Sequence, residues 1–318
     1  MSNFDPELHS QLNYFYCFNF ILSTLLFPPL VYVIISKSSK LGKYKRYLLN
    51  STVWSYVTTA LLYIINPIYL SPSLCVVSDS VLPLTYYQFI LANYLLLFCV
   101  INLGMSIIYC FLYRFSQAYH NLISGLLDNS PWTELFYAVV HLLIQTIVLG
   151  TVYVHQNHTK KQTREQFAIE NPDLVAYFND RLVICFANTN QSRQTLLYCF
   201  IILFSFFLLL KICLCYFVYR LYTNKRHLNS KQLQLMLFKV LMIQLIVVDI
   251  LLFFPANIIC ILTYFQYPRT ARYTQFTIAF VGVHCWMDYL IMAYFVVPYR
   301  EAILKALRSL SSQVHIVH

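Results

Sequence analysis

Long apolar stretches separated by short polar connections make up most of this chain. An α-helix rises about 1.5 Å per residue, so about 20 predominantly apolar residues are needed to cross the hydrocarbon core of a bilayer. Seven stretches meet that length, and the third and sixth exceed it, which predicts helices that tilt or project beyond the bilayer. The predicted spans are residues 14–36, 47–70, 81–113, 132–154, 195–219, 233–264 and 274–297. We therefore predict an all-α integral membrane protein with a single seven-helix bundle.

The composition agrees with a membrane protein. Hydrophobic residues make up 59% of the chain and charged residues 11%, whereas soluble domains carry about 25% charged residues. The apolar stretches are continuous and lack the alternation of a membrane β-barrel. The formal net charge of +10 does not indicate a nucleic-acid partner, because the basic residues lie in the gaps between spans rather than on a soluble face.

The distribution of Lys and Arg predicts the orientation of the bundle. Short cytoplasmic loops of membrane proteins carry an excess of these residues. The connection 37–46 after the first span holds five of them, and residues 1–13 before it hold none. The N-terminus is therefore predicted outside and the C-terminus inside.

Cysteines and glycosylation sequons fit this orientation. Eight of the ten cysteines fall within predicted spans, while Cys75 and Cys185 fall in connections assigned to the outside. An oxidising exterior would let these two form a disulfide, which would close a loop worth about 4–5 kcal/mol in chain entropy. Sequons at Asn157 and Asn190 also lie outside and predict N-glycosylation, with Asn190 close to the membrane.

Ionisable side chains inside the spans are candidate functional groups, because a charge at mid-membrane costs at least about 2.5 kcal/mol. His284 and Asp288 share one face of the seventh span, and Asp249 lies at similar depth in the sixth. One hypothesis is a buried polar cluster that changes partners when the bundle switches state. The more common arrangement is a set of hydrogen-bonded groups that only fixes helix packing. A metal site that also uses Cys285 is a third hypothesis, but no two-histidine or two-cysteine spacing supports it. Lys211 either extends towards the membrane surface or pairs with a carboxylate.

No motif for catalysis or cofactor binding is visible: there is no Gly-rich phosphate loop, nucleophile elbow or zinc-protease helix. We expect no enzyme activity, cofactor or metal. A ligand pocket is expected between the outer halves of the helices, lined by apolar and aromatic side chains with a few polar groups. The candidate ligand-binding residues, chosen by depth, are Tyr86, Tyr87, Gln88, Asn93, Tyr198 and Gln275.

The chain after the seventh span predicts a short amphipathic helix on the membrane surface, residues 299–310, that begins after Pro298. Its apolar stripe is formed by Ile303, Leu304, Leu307 and Leu310. The basic segments 37–46 and 220–231 on the same side of the membrane suit contact with anionic lipid or an acidic partner.

Four short motifs occur in order along nearly the whole chain. They are Lys43-Tyr44-Lys45-Arg46-Tyr47-Leu48-Leu49-Asn50 with Trp54, Asn66-Pro67 with Pro72, Cys110-Phe111-Leu112-Tyr113-Arg114, and Pro298-Tyr299-Arg300. Their order and spacing resemble the nematode chemosensory serpentine receptors, which are seven-transmembrane G-protein-coupled receptors, in the group that includes classes H and I. The chain departs from the rhodopsin-like pattern, because no acid precedes Arg114, the sixth span lacks Cys-Trp-x-Pro and the seventh lacks Asn-Pro-x-x-Tyr.

The resemblance implies a chemosensory receptor of the plasma membrane, with sensory cilia as a candidate location. It implies a small-molecule ligand in the outer half of the bundle, a sixth helix that pivots near Pro255, and a heterotrimeric G protein as partner. The candidate G-protein-facing residues are Arg114, Lys225, Arg226 and Arg300. A transporter or ligand-gated channel is the alternative, in which buried Lys211, Asp249 and Asp288 line a permeation path. Internal repeats, which are typical of transporters, are not visible in the sequence.

Overall fold

Seven long helices form the body of the protein. The structure is a computed structural model that describes residues 6–37, 44–118, 131–156, 159–223, 240, 242–268, 270–296 and 299–305. Within these residues the first to seventh helices are Pro6–Lys37, Tyr44–Ile65, Tyr86–Ala118, Pro131–His155, Asn190–Thr223, Met242–Tyr264 and Ala271–Phe295. Six of these described helices are long and apolar enough to cross a membrane. The remaining one, the fifth helix, has 34 residues. The prediction of a helical membrane bundle is confirmed.

Two helix boundaries fall about five residues inside the predicted spans. The second helix ends at Ile65, because Asn66 has a positive φ of 45° and Pro67 lacks the N–H that a further helical turn needs. The third helix begins at Tyr86 with a reciprocal capping box. Gln88 Oε1 accepts a hydrogen bond from the Thr85 N–H at 2.8 Å, and Thr85 Oγ1 accepts one from the Gln88 N–H at 3.4 Å.

A small antiparallel sheet, which the sequence did not predict, lies at one end of the bundle. Strands β1 (Pro67–Leu70), β2 (Cys75–Ser78) and β3 (Leu182–Cys185) pair in the order β1-β2-β3. Cys75 lies opposite Cys185 across β2 and β3, and the two form the predicted disulfide. We call this end of the molecule the sheet end.

A loop helix, Lys160–Glu170, packs on the sheet and shares its hydrophobic core. We call the sheet and the loop helix together the cap. The core of the cap is formed by Ile68, Leu70, Cys75, Val77, Phe167, Leu174, Phe178, Val183 and Cys185. Asp79, directly after β2, pairs with Arg181 and lies 2.8 Å from His9 Nε2 of the first helix. The cap is therefore joined to the bundle by polar contacts as well as by the chain itself.

The sixth helix contains a wide π-helical turn at Asp249–Phe253, immediately before Pro255. Proline has no N–H, so the preceding carbonyls lose their α-helical partner and the turn widens. The Phe254 N–H donates to the Asp249 carbonyl, and Asn257 Nδ2 donates to the Phe253 carbonyl at 2.8 Å. Such a turn is a local weak point in a helix.

The core at the opposite end of the bundle contains Tyr299, which is fully buried in a cluster with residues of the first, second, third and seventh helices. The structure has residues 299–305 of the predicted surface helix in helical conformation, and residues 306–310 lie outside the described residues. Tyr299 therefore anchors the beginning of this segment in the bundle.

Candidate functional site

A cavity of about 260 Å³ lies at the sheet end of the bundle. Its walls belong to the fourth, fifth, sixth and seventh helices, and one side is closed by residues 69–76 of the β1–β2 hairpin together with Phe186. A cavity of roughly 150 Å³ is enough to hold benzene. By that scale this one accommodates a molecule of roughly ten non-hydrogen atoms.

Apolar side chains provide most of the lining, including Val148, Val152, Leu196 and Ile259. No Lys, Arg, Asp or Glu is among the described residues that line the cavity. Tyr69 also contributes to the wall, and burial raises the pKa of its phenol to about 12, so this group is neutral. The chemistry of the lining therefore favours an uncharged molecule.

His155 supplies the first group of polar atoms in the wall. It is the last residue of the fourth helix, and its imidazole bridges to the first turn of the fifth. Nδ1 lies 3.1 Å from Ser192 Oγ, and Nε2 lies 3.2 Å from Thr195 Oγ1. Thr195 Oγ1 also donates to the Gln191 carbonyl at 3.0 Å. An imidazole protonated on Nε2 satisfies this set, because Thr195 then accepts from the ring while Ser192 donates to it.

A chain of hydroxyl groups forms the second polar part of the wall. Thr270 Oγ1 donates to Ser71 Oγ at 2.8 Å, and Ser71 Oγ lies 3.2 Å from Thr263 Oγ1. Thr274 Oγ1 donates to the Thr270 carbonyl at 3.1 Å. All four residues are buried. Ser71, Thr263 and Thr274 line the cavity, so the hairpin and the sixth and seventh helices each contribute a hydroxyl group to its wall.

Three of the predicted ligand-binding residues make contacts within or next to the third helix. Tyr86 is buried, and its hydroxyl lies 3.1 Å from Thr163 Oγ1 on the loop helix. Gln88 forms the capping box described above. Asn93 Nδ2 donates to the Phe89 carbonyl at 2.8 Å. These contacts stabilise the third helix and its junction with the cap.

The other three predicted ligand-binding residues do not come together. Tyr87 and Tyr198 are 76% and 61% exposed. Gln275 is buried, and its amide nitrogen and oxygen have no hydrogen-bond partner among the described residues. None of the six lines the cavity. Their role in ligand binding stays a prediction.

The predicted polar cluster is divided between two places. His284 and Asp288 are both buried, and Gln244 Nε2 of the sixth helix donates to Asp288 Oδ1 at 2.7 Å. Neither ring nitrogen of His284 has a hydrogen-bond partner among the described residues. Asp249 lies five residues beyond Gln244, about 140° around a helix, and pairs instead with Lys211 Nζ of the fifth helix at 2.7 Å. The switch role of these residues stays a prediction.

The seventh helix also packs closely against the first, a feature that the sequence did not indicate. Asn19 is fully buried, and its Oδ1 accepts a hydrogen bond from Trp286 Nε1 at 2.9 Å. A Cβ atom added at Gly282 would lie 3.1 Å from Asn19 Nδ2. The glycine therefore allows the two helices to approach.

The remaining predicted sites lie at the two ends of the molecule. Asn190 is exposed at the start of the fifth helix, and Arg300 is exposed at the opposite end. Lys225, Arg226 and Asn157 lie outside the described residues, as does the side chain of Arg114. Among the part of the chain that the structure describes, no group of three His, Cys, Asp or Glu side chains is placed to hold a metal ion.

The bundle, its cap and the cavity below the cap define a multi-pass membrane protein with the architecture of a seven-transmembrane receptor. The family of serpentine type 7TM GPCR chemoreceptors named Srh matches residues 9–309. The chain belongs to this family, and the resemblance to nematode chemosensory serpentine receptors is confirmed. The family is a class of chemoreceptors and not a class of enzymes. Among curated proteins, none is significantly similar to the chain.

Proposed function

We propose that this protein is a chemosensory receptor that binds a small molecule in the cavity at the sheet end and activates a heterotrimeric G protein. The cavity itself carries the proposal. It has the properties expected of a ligand site, since its lining is apolar with a few placed polar groups and it lies between helices of a bundle. Membership of a chemoreceptor family supports the same assignment.

The sheet end faces the outside of the plasma membrane in this proposal, and the sensory cilium is the candidate location. The disulfide between Cys75 and Cys185 supports this orientation, because such bonds persist in oxidising compartments. Lys37, Lys45 and Arg46, which belong to the basic connection between the first two helices, lie at the opposite end. Attachment of a glycan at Asn157 in intact cells, lost in Asn157→Gln, is the expected result. A cytoplasmic Asn157 would contradict the orientation.

The sixth helix is the element that transmits binding. Ile259 and Thr263 line the cavity, Pro255 lies about one turn from Ile259 towards the opposite end, and the π-helical turn follows within about three turns. A ligand shifts a conformational equilibrium only if it binds one state more tightly than the other. The ligand contacts the part of the sixth helix that lies on the cavity side of the weak turn. Because this part can move relative to the rest of the helix, its contacts with the ligand differ between the two states, and so does the affinity.

The opposite end of the bundle is the surface that engages the G protein. The residues proposed for this role are Arg114, Lys225, Arg226 and Arg300. Their positive charge suits an acidic partner surface and also contact with anionic lipid headgroups.

Expression of the receptor with a panel of small neutral compounds tests the function, with G-protein activation and membrane current recorded together. The expected result is G-protein activation by at least one compound and no current that is independent of the G protein. A compound-dependent current in cells that lack the G protein would instead favour the channel hypothesis.

A further inference from the structure

We propose that the ligand of the cavity is a neutral, membrane-soluble molecule that enters from the bilayer through the gap between the fourth and fifth helices. The inference rests on the proposed function, because it concerns the ligand of the same cavity. It specifies both the chemical class of the ligand and its route.

Burial of the lining residues differs from one side of the cavity to the other. On the side of the hairpin and the sixth and seventh helices, Ser71 is 5% exposed, Thr263 5% and Thr274 2%. On the other side, Val152 of the fourth helix is half-buried and Cys199 of the fifth is exposed. Ser73, Leu74 and Ile259 on the first side are half-buried and Ser192 on the second is buried, but most of the buried lining residues belong to the hairpin and the sixth and seventh helices, and the exposed one, Cys199, belongs to the fifth. The cavity is therefore more open on the side of the fourth and fifth helices.

Backbone hydrogen bonds close the cavity at the sheet end. The Phe186 N–H donates to the Leu74 carbonyl at 2.8 Å, and the Ala187 N–H donates to the His155 carbonyl at 2.8 Å. Gln156 and Phe186 form an antiparallel bridge. These bonds join the hairpin, the segment after β3 and the end of the fourth helix. A molecule arriving from the aqueous side would have to separate them, and the disulfide holds β2 and β3 together above this point.

The gap between the fourth and fifth helices is lined by apolar chain. Residues 142–154 of the fourth helix and residues 194–210 of the fifth contain no Lys, Arg, Asp or Glu. The outward faces of the two helices are apolar as well, as the exposed side chains of Ile147 and Ile202 show. A charged molecule would find no compensating partner along this path or among the described residues of the cavity wall. A neutral molecule dissolved in the bilayer meets no such barrier.

The polar atoms of the wall specify what the molecule carries. His155 with Ser192 and Thr195 forms one hydrogen-bonding patch, and the hydroxyl groups of Ser71 and Thr263 form another. Apart from the imidazole of His155, the polar groups of both patches are hydroxyl groups, and all of them already have hydrogen-bond partners, so they suit a hydroxyl, carbonyl or ether group rather than an ion. The ligand class is therefore a compact apolar molecule with one such group.

Photolabelling tests the proposal with the receptor in phosphatidylcholine vesicles. The probe is the neutral diazirine alcohol 3-azi-1-octanol, and its comparison is the diazirine carboxylate of the same chain length, with adducts located by peptide mass spectrometry. We expect the alcohol to label cavity residues such as Ile259, and excess 1-octanol to prevent it. The carboxylate should label Ile259 at least about tenfold less, a ratio that corresponds to 1.4 kcal/mol. Equal labelling by the two probes would overturn the proposal.

A matched pair of tryptophan variants tests the route. Val152→Trp places a large side chain where the fourth helix meets the cavity, and Ile147→Trp places the same side chain on the outward face of that helix. We expect Val152→Trp to slow the rise of Ile259 labelling after the alcohol is added to the vesicles about tenfold while labelling of lipid-facing Leu143 is unchanged, and Ile147→Trp to change neither. A lower final level of Ile259 labelling reached at an unchanged rate would report filling of the cavity and would contradict the route. Unchanged labelling of Ile259 in Val152→Trp would contradict entry through this gap.

Two further measurements keep these outcomes interpretable. Thermal unfolding of each variant shows whether it is folded, and Leu143 labelling serves as the internal reference. Photolabelling reports occupancy without any G protein, so loss of labelling in a receptor that still signals rejects the ligand class alone. Labelling without G-protein activation rejects the proposed function alone.

Discussion

The ion pair between Lys211 and Asp249 should restrain the hinge of the sixth helix. Asp249 begins the π-helical turn, and Lys211 holds its carboxylate from the fifth helix at 2.7 Å. The side chains of the pair are 55% and 32% exposed, but they lie within the apolar stretches of both helices, so this surface meets lipid and little water is present to screen the charges. Asp249→Asn removes the charge while keeping the shape of the side chain, and Lys211→Met removes the partner.

The size of the effect follows from the type of contact. A hydrogen bond between charged groups contributes about 1.5–3 kcal/mol. If the pair forms only in the resting shape of the hinge, its loss shifts the equilibrium towards the active state by roughly 10- to 150-fold. Agonist-independent nucleotide exchange on the G protein should therefore rise in either single variant. In the double variant it should rise no further, because both changes remove the same contact.

The matched control is the pair Lys161–Glu165 on the loop helix. Its atoms are 3.9 Å apart and its side chains are 87% and 61% exposed, so Glu165→Gln should leave basal exchange unchanged. Unchanged basal exchange in both Lys211→Met and Asp249→Asn, at normal surface expression, would refute the restraint. Additive effects in the double variant would show that the two residues act separately.

Three further predictions concern the cap, the packing of the first and seventh helices, and the buried carboxylate. Cys75→Ser and Cys185→Ser should each lower the midpoint of thermal unfolding and the surface expression. The double variant should match the single ones, because all three lack the same disulfide, which is worth up to about 4–5 kcal/mol. An unchanged midpoint in any of the three variants would contradict this prediction. Gly282→Val should destabilise the receptor by about 1–3 kcal/mol in thermal unfolding, because a Cβ atom at this position lies 3.1 Å from Asn19 Nδ2. Gly104→Ala should be neutral or stabilising, because nothing lies within 4 Å of a Cβ atom added there. Equal effects of the two substitutions would refute the argument. Asp288→Asn should keep surface expression and change agonist potency in concentration–response assays, and if both are unchanged, the switch role is wrong.

The sequence predicted the helices well because the apolar stretches that identify a span are continuous and local. The main error in a predicted helix boundary came from the same apolar pattern. The stretch 47–70 contains no charged residue, but Asn66 and Pro67 end the second helix and Pro67–Leu70 forms β1. The disulfide was predictable from compartment alone, because Cys75 and Cys185 are the two cysteines in connections.

The cavity was not predictable in the same way, because it depends on which helix faces meet. His155 comes together with Ser192 and Thr195 across about 40 residues of chain, and no local pattern indicates that contact. A local pattern was present for Gln88, since Thr85 three residues earlier completes a capping box that assigns its side chain to the helix end. Gln88 was chosen as a ligand candidate because of its depth in the membrane, but depth does not indicate which way its side chain points.

The most direct test of the central claim compares two tryptophan variants on the fifth helix. Leu196→Trp fills the cavity, whereas Ile202→Trp adds the same side chain on the outward face of the same helix, where the native residue is 67% exposed. Concentration–response curves for G-protein activation by a neutral agonist should shift at least about tenfold to higher concentration in Leu196→Trp, as expected for a lost contact worth 1.4 kcal/mol or more. Ile202→Trp should stay within about twofold of the native receptor. An unshifted curve in Leu196→Trp, at normal surface expression, would contradict ligand binding in this cavity.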